Sequence, residues 1–320
     1  MKSQIIKYLN IQTLVLFSAL WIYQHKGYAQ QDPMYSQYMF NTLIINPAYA
    51  GSRDVLSATA LHRRQWINVD GAPVTTTFSI DAPVKNEKIG LGLTLINDNI
   101  GVSSNTGIFA NYAYRIRLKN SGTLAMGLSA GASQFRANLS AVKTSSNGSD
   151  FDPAFSENQV RILPNFGAGL YYTTDKIYIG LSLPHLLNNK LANDYANFSG
   201  NTSARQFRHL FLSLGGVVAI NNNFKLKPSL LYKYVNAAPM QLDLNCNFWF
   251  YDILSIGASY RTNKTVVGLV EIQATPQFRI GYAYDINFSK TGPVNTGSHE
   301  IMMRYEFAFK KKKFLTPRYF

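Results

Sequence analysis

Apolar and polar residues alternate with a period of two along most of the chain after residue 54. The alternation is cleanest in residues 240–250, 277–287 and 300–309, where every second side chain is apolar. A helix would scatter these side chains around its axis, whereas a strand places them all on one face. The pattern therefore predicts β-strands that each have one apolar and one polar face.

Segments of this kind predict fourteen strands, and most of them are about ten residues long, which suits a tilted strand that crosses a bilayer. Several connections are tight, whereas residues 138–164 and 184–206 form long polar ones. Short turns on one rim and long loops on the other are typical of a bacterial outer-membrane barrel. The predicted strands are 55–65, 73–82, 88–96, 106–118, 123–136, 165–174, 176–183, 207–220, 224–235, 240–250, 253–262, 264–274, 277–287 and 299–309.

Composition narrows the class of protein. Only 15% of the 320 residues are charged, against roughly 25% in a typical soluble domain, and 13% are aromatic. Mean hydropathy is −0.09, and no stretch after residue 29 approaches the roughly 20 apolar residues of a membrane helix. These values exclude disorder and a helical membrane protein. Both faces of the predicted strands carry few charges, and this favours an antiparallel transmembrane β-barrel over a soluble sandwich or propeller.

The first 29 residues have the design of a secretory signal peptide. Lys2 and Lys7 precede an apolar core at 11–22, and Gly27 and Ala29 place small residues at the cleavage site. An uncleaved membrane anchor is the alternative, but the core is shorter than a membrane span. Cleavage removes three lysines and no acid, so the net charge falls from +14 to 14 − 3 = +11.

These features divide the chain into four parts. They are a signal peptide (1–29), an N-terminal segment (30–54), the barrel (55–310) and a basic periplasmic tail (311–320). The remaining basic residues are dispersed, except for the run 310–313. Dispersed charge suits contact with anionic lipid head groups or an acidic partner rather than nucleic acid.

No catalytic or metal-binding motif is present in the sequence. Cys246 is the only cysteine and lies on the apolar face of its strand, which excludes an internal disulfide and multi-cysteine zinc sites. His209 and Ser213 share a strand face, so a catalytic dyad stays open there. His299 and Glu300 lie on opposite faces, without a third ligand. We expect no enzyme activity, no cofactor and no metal.

Four blocks of sequence resemble one protein family. Residues 31–54 (QDPMYSQYMFNTLIINPAYAGSRD) and 62–83 (HRRQWINVDGAPVTTTFSIDAP) resemble the first two signatures of the PorP/SprF family of the type IX secretion system. Residues 282–285 (YAYD) and 297–300 (GSHE) resemble its C-terminal ones. Thr42 stands where proline is commoner in the family, and Ser298 where threonine is.

The resemblance implies an outer-membrane protein of a Bacteroidota-type bacterium that docks or anchors other proteins. The implied partners are outer-membrane lipid, periplasmic and outer-membrane proteins of the type IX machinery, and the C-terminal domain of a secreted adhesin or other cargo. The alternative is a porin or a channel for hydrophobic solutes. The family-like positions expected to bind a partner or to form a plug are Asp32, Pro33, Tyr35, Gln37, Asn46, Pro47, Tyr49, Gly51, Arg64, Trp66, His299 and Glu300.

The N-terminal segment precedes the first strand, which predicts a position on the periplasmic side. It is too apolar to hang free in water, so it is expected to plug the lumen, to line the periplasmic mouth or to form a docking surface for a periplasmic partner. Arg63, Arg64 and Trp66 suit a carboxylate or a sugar, or else they stack and pair with Asp70 or Asp81. The charged residues predicted to face inward mix both signs, which favours a filled interior over an ion-selective pore. They are Arg115, Arg117, Lys225, Lys227, Asp243, Arg279, Asp285, Glu300, Arg304 and Glu306.

Overall fold

The computed structural model describes residues 33–84, 86–119, 122–142, 158–191, 205–236, 238–288 and 297–307, and it is built almost entirely of strands. Fifteen strands occur in these ranges. They are β1 (Leu56–Arg64), β2 (Val74–Val84), β3 (Ile89–Ile100), β4 (Ser103–Arg117), β5 (Thr123–Ala137), β6 (Gln159–Thr173), β7 (Ile177–Leu183), β8 (His209–Gly216), β9 (Val218–Ala219), β10 (Phe224–Val235), β11 (Gln241–Phe250), β12 (Leu254–Arg261), β13 (Thr265–Gln273), β14 (Phe278–Asn287) and β15 (Ser298–Phe307). Short 3-10 turns lie at Thr42–Ile44, Pro47–Tyr49 and Leu139–Ala141.

Fourteen of the strands close into an antiparallel barrel. Neighbours in sequence pair with each other, β10 pairs with both β8 and β11, and β15 returns to pair with β1. The two-residue strand β9 stands outside this cycle, on the same edge of β10 as β8 and in the same register. The interruption between β8 and β9 falls opposite Pro228, whose nitrogen carries no hydrogen to donate. The fourteen-stranded barrel predicted from the alternation is confirmed.

The two faces of the wall differ in chemistry. Leu91, Leu128, Ile162 and Leu244 are among the large apolar side chains that point outward and are exposed. The inward positions carry Thr, Ser, Asn and charged residues, which are buried. An apolar outside and a polar inside is the arrangement of an outer-membrane barrel. Cys246 is exposed and therefore belongs to the outer, apolar face.

The connections separate into two rims. The short-turn rim has the links 85–88, 118–122, 174–176, 220–223, 251–253 and 274–277. The long-loop rim has 65–73, 138–158, 184–208, 236–240 and 288–297, together with two short links at 101–102 and 262–264. In outer-membrane barrels the short turns face the periplasm and the long loops face outward, which orients this barrel.

Most strand boundaries agree with the predicted ones within three residues, and two regions differ. Strand β6 begins at Gln159 rather than at 165, because Val160 and Ile162 continue its outward apolar face past Pro164. Strand β3 extends to Ile100, so that it meets β4 in a tight turn. Among the described residues, no helix is long and apolar enough to cross a membrane.

Candidate functional site

Residues 33–54, hereafter the lumen segment, run through the inside of the barrel from one rim to the other. Pro33 lies at the long-loop rim with Trp66 and Gly297, whereas Asp54 pairs with Arg115 near the short-turn rim. Between these ends the segment contacts strands from all around the closed wall. The segment therefore occupies the lumen. The expectation that all of it lies on the periplasmic side was wrong for its first part, because the chain descends from the outer mouth.

Asparagine and proline shape the middle of the lumen segment. Pro47 opens a 3-10 turn, and the side chain of Asn46 accepts a hydrogen bond from the Ala48 N–H at 3.0 Å. The Asn46 amide also donates to the carbonyl oxygen of Leu170 in β6 at 3.0 Å. The turn is therefore fastened to the wall by the same side chain that begins it.

Glycine allows the lumen segment to lie directly on the wall. A Cβ atom at Gly90 in β3 would stand 1.9 Å from the carbonyl oxygen of Ala50, and one at Gly127 in β5 would stand 2.1 Å from the Ala48 nitrogen. Gly51, in the lumen segment itself, has a φ of +72°, in the left-handed region that favours glycine. Neither wall position admits a side chain unless the backbones move apart.

Apolar packing holds the lumen segment on two sides. Near the long-loop end, Tyr35, Tyr38, Phe40 and Ile45 pack against wall residues Leu61, Phe211, Leu231 and Met302. Near the short-turn end, Leu43, Ala48, Tyr49 and Ala50 pack against Ala113, Ala125, Tyr171 and Tyr178. Each large apolar side chain buried in this way contributes roughly 1.5–3 kcal/mol.

A buried ion cluster fixes the long-loop end of the segment. It consists of Arg63, Asp243, Arg261, Asp285 and Glu300, all of them buried. Arg63 lies 2.6 Å from Asp285 and 3.1 Å from Glu300, and Arg261 lies 3.0 Å from Asp243 and 3.5 Å from Asp285. Two guanidinium groups thus face three carboxylates, which leaves a formal charge of −1.

The lumen segment supplies the donors that complete this ion cluster. The backbone N–H groups of Ser36 and Gln37 donate to the two oxygens of Glu300 at 2.9 and 2.7 Å. The Ser36 hydroxyl donates to Asp285 at 2.7 Å and accepts from Arg63 at 2.9 Å. Buried carboxylates require such donors, because an unpaired charge in the interior costs several kcal/mol.

A second group of polar contacts holds the short-turn end of the segment. Arg53 pairs with Glu306 of β15 at 2.6 Å, and Asp54 pairs with Arg115 of β4 at 2.7 Å. The Gly51 N–H donates to Asp81 of β2 at 2.8 Å. The lumen segment is thus tied by charge at both ends and by apolar packing between them.

The structure separates the predicted site residues into two groups. Tyr35, Gln37, Asn46, Pro47, Tyr49, Gly51 and Glu300 lie inside the barrel, and Pro33 lines the outer mouth, whereas Arg64, Trp66 and His299 lie outside the packed interior. Asp32 lies outside the described residues. His299 is hydrogen-bonded to the hydroxyl of Tyr282 at 2.5 Å, away from Glu300.

The expected pairing of Arg63 with Asp70 or Asp81 was wrong, because Arg63 points inward to Asp285 and Glu300. Sequence reasoning also overlooked Ser36, Arg261 and Asp243 as members of one cluster. Strand parity was the signal available for Arg63, since it shares a face with the buried Leu61. Among the residues predicted to face inward, Arg117 is instead exposed and pairs with Glu87 at the short-turn rim.

His209, which the sequence allowed as a catalytic residue, does not form a dyad with Ser213 in the described part of the chain. His209 and Ser213 are both buried on the inner face of β8, as alternation predicts. They are four residues apart along a strand, roughly 13 Å, and the His209 Nδ1 atom lies 3.0 Å from the Phe207 carbonyl oxygen. Among the described residues no group of three or more His, Cys, Asp or Glu side chains is arranged to hold a metal ion.

A cavity of about 320 Å³ opens at the long-loop rim, above the buried ion cluster. Its walls include Pro33 and Met34 of the lumen segment and Trp66 of the 65–73 loop. The remaining lining residues are Arg63, Gln65, Pro73, Thr75, Asp98, Ile100, Arg261, Asn263, Thr265, Asp285, Asn287, Gly297 and Ser298. We refer to this space as the outer-mouth cavity.

Comparison with known proteins finds one family and several barrels. The family model described as type IX secretion system membrane protein PorP/SprF matches residues 27–305. No curated protein matches the chain.

Solved structures that are similar include three outer-membrane or transport proteins. The Ralstonia pickettii toluene transporter TbuX has 9% identity and a TM-score of 0.49, over 89% of this chain and 97% of that one. A Pseudomonas aeruginosa FadL homologue has 13% identity and a TM-score of 0.45, over 88% and 96%. The Acinetobacter baumannii outer membrane protein Omp33 has 10% identity and a TM-score of 0.44, over 79% and 98%. Identities this low carry no inference about substrate.

Proposed function

The chain belongs to the PorP/SprF family of type IX secretion system membrane proteins, and on this premise we propose that it is a non-enzymatic docking barrel. In this role it sits in the outer membrane and anchors secreted or surface proteins and periplasmic components of the machinery. Its partners are secretion-system proteins of the periplasm and outer membrane, and the C-terminal domain of a secreted adhesin or other cargo. Export to that membrane follows cleavage of the signal peptide after Ala29.

One observation carries the proposal: the lumen is occupied by the chain itself. The segment is bound at its long-loop end by hydrogen bonds to the buried ion cluster, at its short-turn end by ion pairs, and in the middle by two apolar clusters. A passive pore needs a continuous open path between its rims, and the lumen segment occupies the lumen from one rim to the other. The surfaces left for function are the two rims, which suits a protein that binds other proteins.

Conductance distinguishes the docking barrel from the alternative, a porin or hydrophobic-solute channel. We expect the mature chain in planar bilayers to show no steady open conductance, because the segment is held by charges that are costly to unpair. Deleting residues 33–51 removes most of the segment and is expected to produce steady single-channel steps. Steady conductance by the intact chain would support the channel instead.

Docking is tested in the native organism. Deletion of the gene is expected to remove at least one type IX cargo from the medium or the cell surface, while other outer-membrane proteins stay at their normal levels. Co-purification from native membranes is expected to recover a cargo C-terminal domain or a periplasmic component of the machinery. Normal secretion of every cargo in the deletion strain would contradict the proposal.

A further inference from the structure

The outer-mouth cavity has features that the docking role does not use. It lies where the lumen segment meets the long-loop rim, and its volume of about 320 Å³ is at the lower end of ordinary ligand sites, roughly 300–1,000 Å³. Its walls combine a few apolar side chains, neutral hydrogen-bonding groups and four charged residues, Arg63, Asp98, Arg261 and Asp285. From its geometry and charge we propose that the outer-mouth cavity binds a neutral saccharide unit.

Trp66 supplies the platform for a sugar ring. Its side chain is 46% exposed, and no aromatic ring or cation among the described residues covers the indole. The C–H groups on one face of a pyranose form an apolar surface that packs on such a ring, while its hydroxyls remain free for hydrogen bonds. An exposed tryptophan beside a polar cavity therefore suits a ligand that has both characters.

The backbone holds Trp66 in an unusual conformation. Its φ is +44°, in the left-handed region that non-glycine residues rarely adopt, and such a conformation costs on the order of 1–3 kcal/mol. The neighbouring Ile67 N–H donates to the Gly297 carbonyl at 3.1 Å, and the Gly101 N–H donates to the Gly71 carbonyl at 2.8 Å. These hydrogen bonds join three separate links of the long-loop rim, so the loop that carries the indole ring is held by its neighbours on both sides.

Three polar side chains in the cavity have hydrogen-bonding groups to offer. Gln65, Asn263 and Thr265 line the space, and within the described ranges their side chains form no hydrogen bond. Amide and hydroxyl groups both donate and accept, as sugar hydroxyls do. A hydrocarbon in the same place would strip these groups of water without replacing the lost hydrogen bonds, which is unfavourable.

The charges at the cavity floor select against an acidic ligand. Arg63 and Arg261 line the space, but both are paired with the three carboxylates of the buried ion cluster. That cluster has a formal charge of −1, so an added carboxylate or phosphate would meet repulsion rather than an unpaired guanidinium group. Of the carboxylate and the sugar that Arg63, Arg64 and Trp66 suggest in the sequence, the geometry favours the neutral sugar.

Tryptophan fluorescence tests the proposal, because the mature chain keeps only Trp66 and Trp249 once the signal peptide with Trp21 is removed. Trp249 is buried near the short-turn rim, at the end of β11 that lies away from the outer-mouth cavity. The mature protein is placed in lipid nanodiscs, since maltoside detergents carry a competing sugar. It is titrated with maltotriose and with triacetylchitotriose, and in parallel with trigalacturonate and toluene.

We expect a saturable fluorescence change with at least one of the neutral trisaccharides. The Trp249→Phe variant should keep this change. The Trp66→Ala variant should lose it, and calorimetry should show its dissociation constant raised at least tenfold. The double variant Gln65→Ala/Asn263→Ala keeps both tryptophans and should weaken binding by a similar factor. Heat-modifiable migration on gels confirms that each variant is folded.

Several results would overturn the proposal: no saturable change with either neutral sugar, a dissociation constant unchanged in Trp66→Ala, or tighter binding of trigalacturonate or toluene than of the neutral sugars. A peptide-linked trisaccharide distinguishes the source of the sugar. Tighter binding of the linked form supports a glycan carried by a protein, and equal binding supports a free or polysaccharide sugar. Saccharide binding is measured on the purified barrel, without any secretion partner. A barrel that binds no saccharide would therefore leave the docking role standing, and a barrel that docks no partner would leave the saccharide proposal standing.

Discussion

At the scale of single residues, Glu300 joins the barrel wall to the lumen segment. Each of its oxygens accepts a backbone N–H, from Ser36 at 2.9 Å and from Gln37 at 2.7 Å, and one of them also faces Arg63 at 3.1 Å. The side chain is fully buried. Its neighbour His299 faces the other way, so the two residues share a sequence motif but have separate surroundings.

Replacing Glu300 by glutamine tests this role. The amide NH2 group would oppose one of the two backbone N–H donors and would remove a charge that Arg63 faces. We expect the free energy of unfolding to fall by about 3 kcal/mol, within the range for breaking a buried pair. Guanidinium unfolding in phospholipid vesicles measures it. Asp175→Asn, at an exposed turn, is the matched control and should change stability by less than about 0.5 kcal/mol. Equal stability of the two variants would contradict the role of Glu300.

At the scale of elements, glycines in strands β3 and β5 allow the lumen segment to lie in direct backbone contact with the wall. Ala50 lies against Gly90, and Ala48 lies against Gly127, at distances that admit no methyl group. Strand glycines usually weaken a sheet, so their presence at these inward positions is explained by the close approach of another backbone.

A methyl group at Gly90 is expected to displace the lumen segment. The added Cβ atom would lie 1.9 Å from the Ala50 carbonyl oxygen, and backbone on both sides limits any adjustment. We expect Gly90→Ala to lower the unfolding free energy by at least about 2 kcal/mol, as overpacking does, and to admit intermittent conductance in planar bilayers. Gly268→Ala in β13 is the control, because no atom lies within 4 Å of its added Cβ. A Gly90→Ala barrel as stable and closed as the control would refute the close packing.

The elements also show what sequence can predict and what it cannot. Alternation alone located the fourteen wall strands, because a period of two is a local property. Parity within β1 was also sufficient to place Arg63 rather than Arg64 inward, although the predicted site residue was Arg64. The partner of Arg63 was not predictable in this way, since Glu300 lies 237 residues further along the chain. The path of the lumen segment depends on many such distant contacts, and its own residues have no periodicity that indicates a direction.

At the scale of the whole molecule, the barrel has an apolar exterior and an interior filled by its own chain. The low charge content follows from this design, because outward positions face lipid and many inward charges are paired. The lumen segment enters at the long-loop rim and leaves at the short-turn rim, so Pro33, its first residue, lies at the outer mouth and Asp54 at the opposite end.

Cysteine labelling of intact cells tests this topology. Cys246→Ala provides a background without cysteine. In that background, Gln31→Cys is expected to react with a membrane-impermeant maleimide, because Pro33 lies at the outer mouth. Asn222→Cys, in an exposed link of the short-turn rim, should react only after the outer membrane is permeabilised. The reverse pattern would show that the barrel is oriented the other way.

The lumen segment is bound at the seam where β1 pairs with β15, and this has a consequence for how the barrel assembles. Arg63 and Glu300 stand directly opposite each other across this seam, and both hold Ser36. The last described strand, β15, therefore carries the acceptor for residues near the beginning of the lumen segment. In a barrel that closed before the segment was bound, the two rims would be the remaining routes into the lumen, because the wall has no free strand edge. Closure of this seam and binding of the lumen segment are therefore coupled, because Arg63 and Glu300 take part in both.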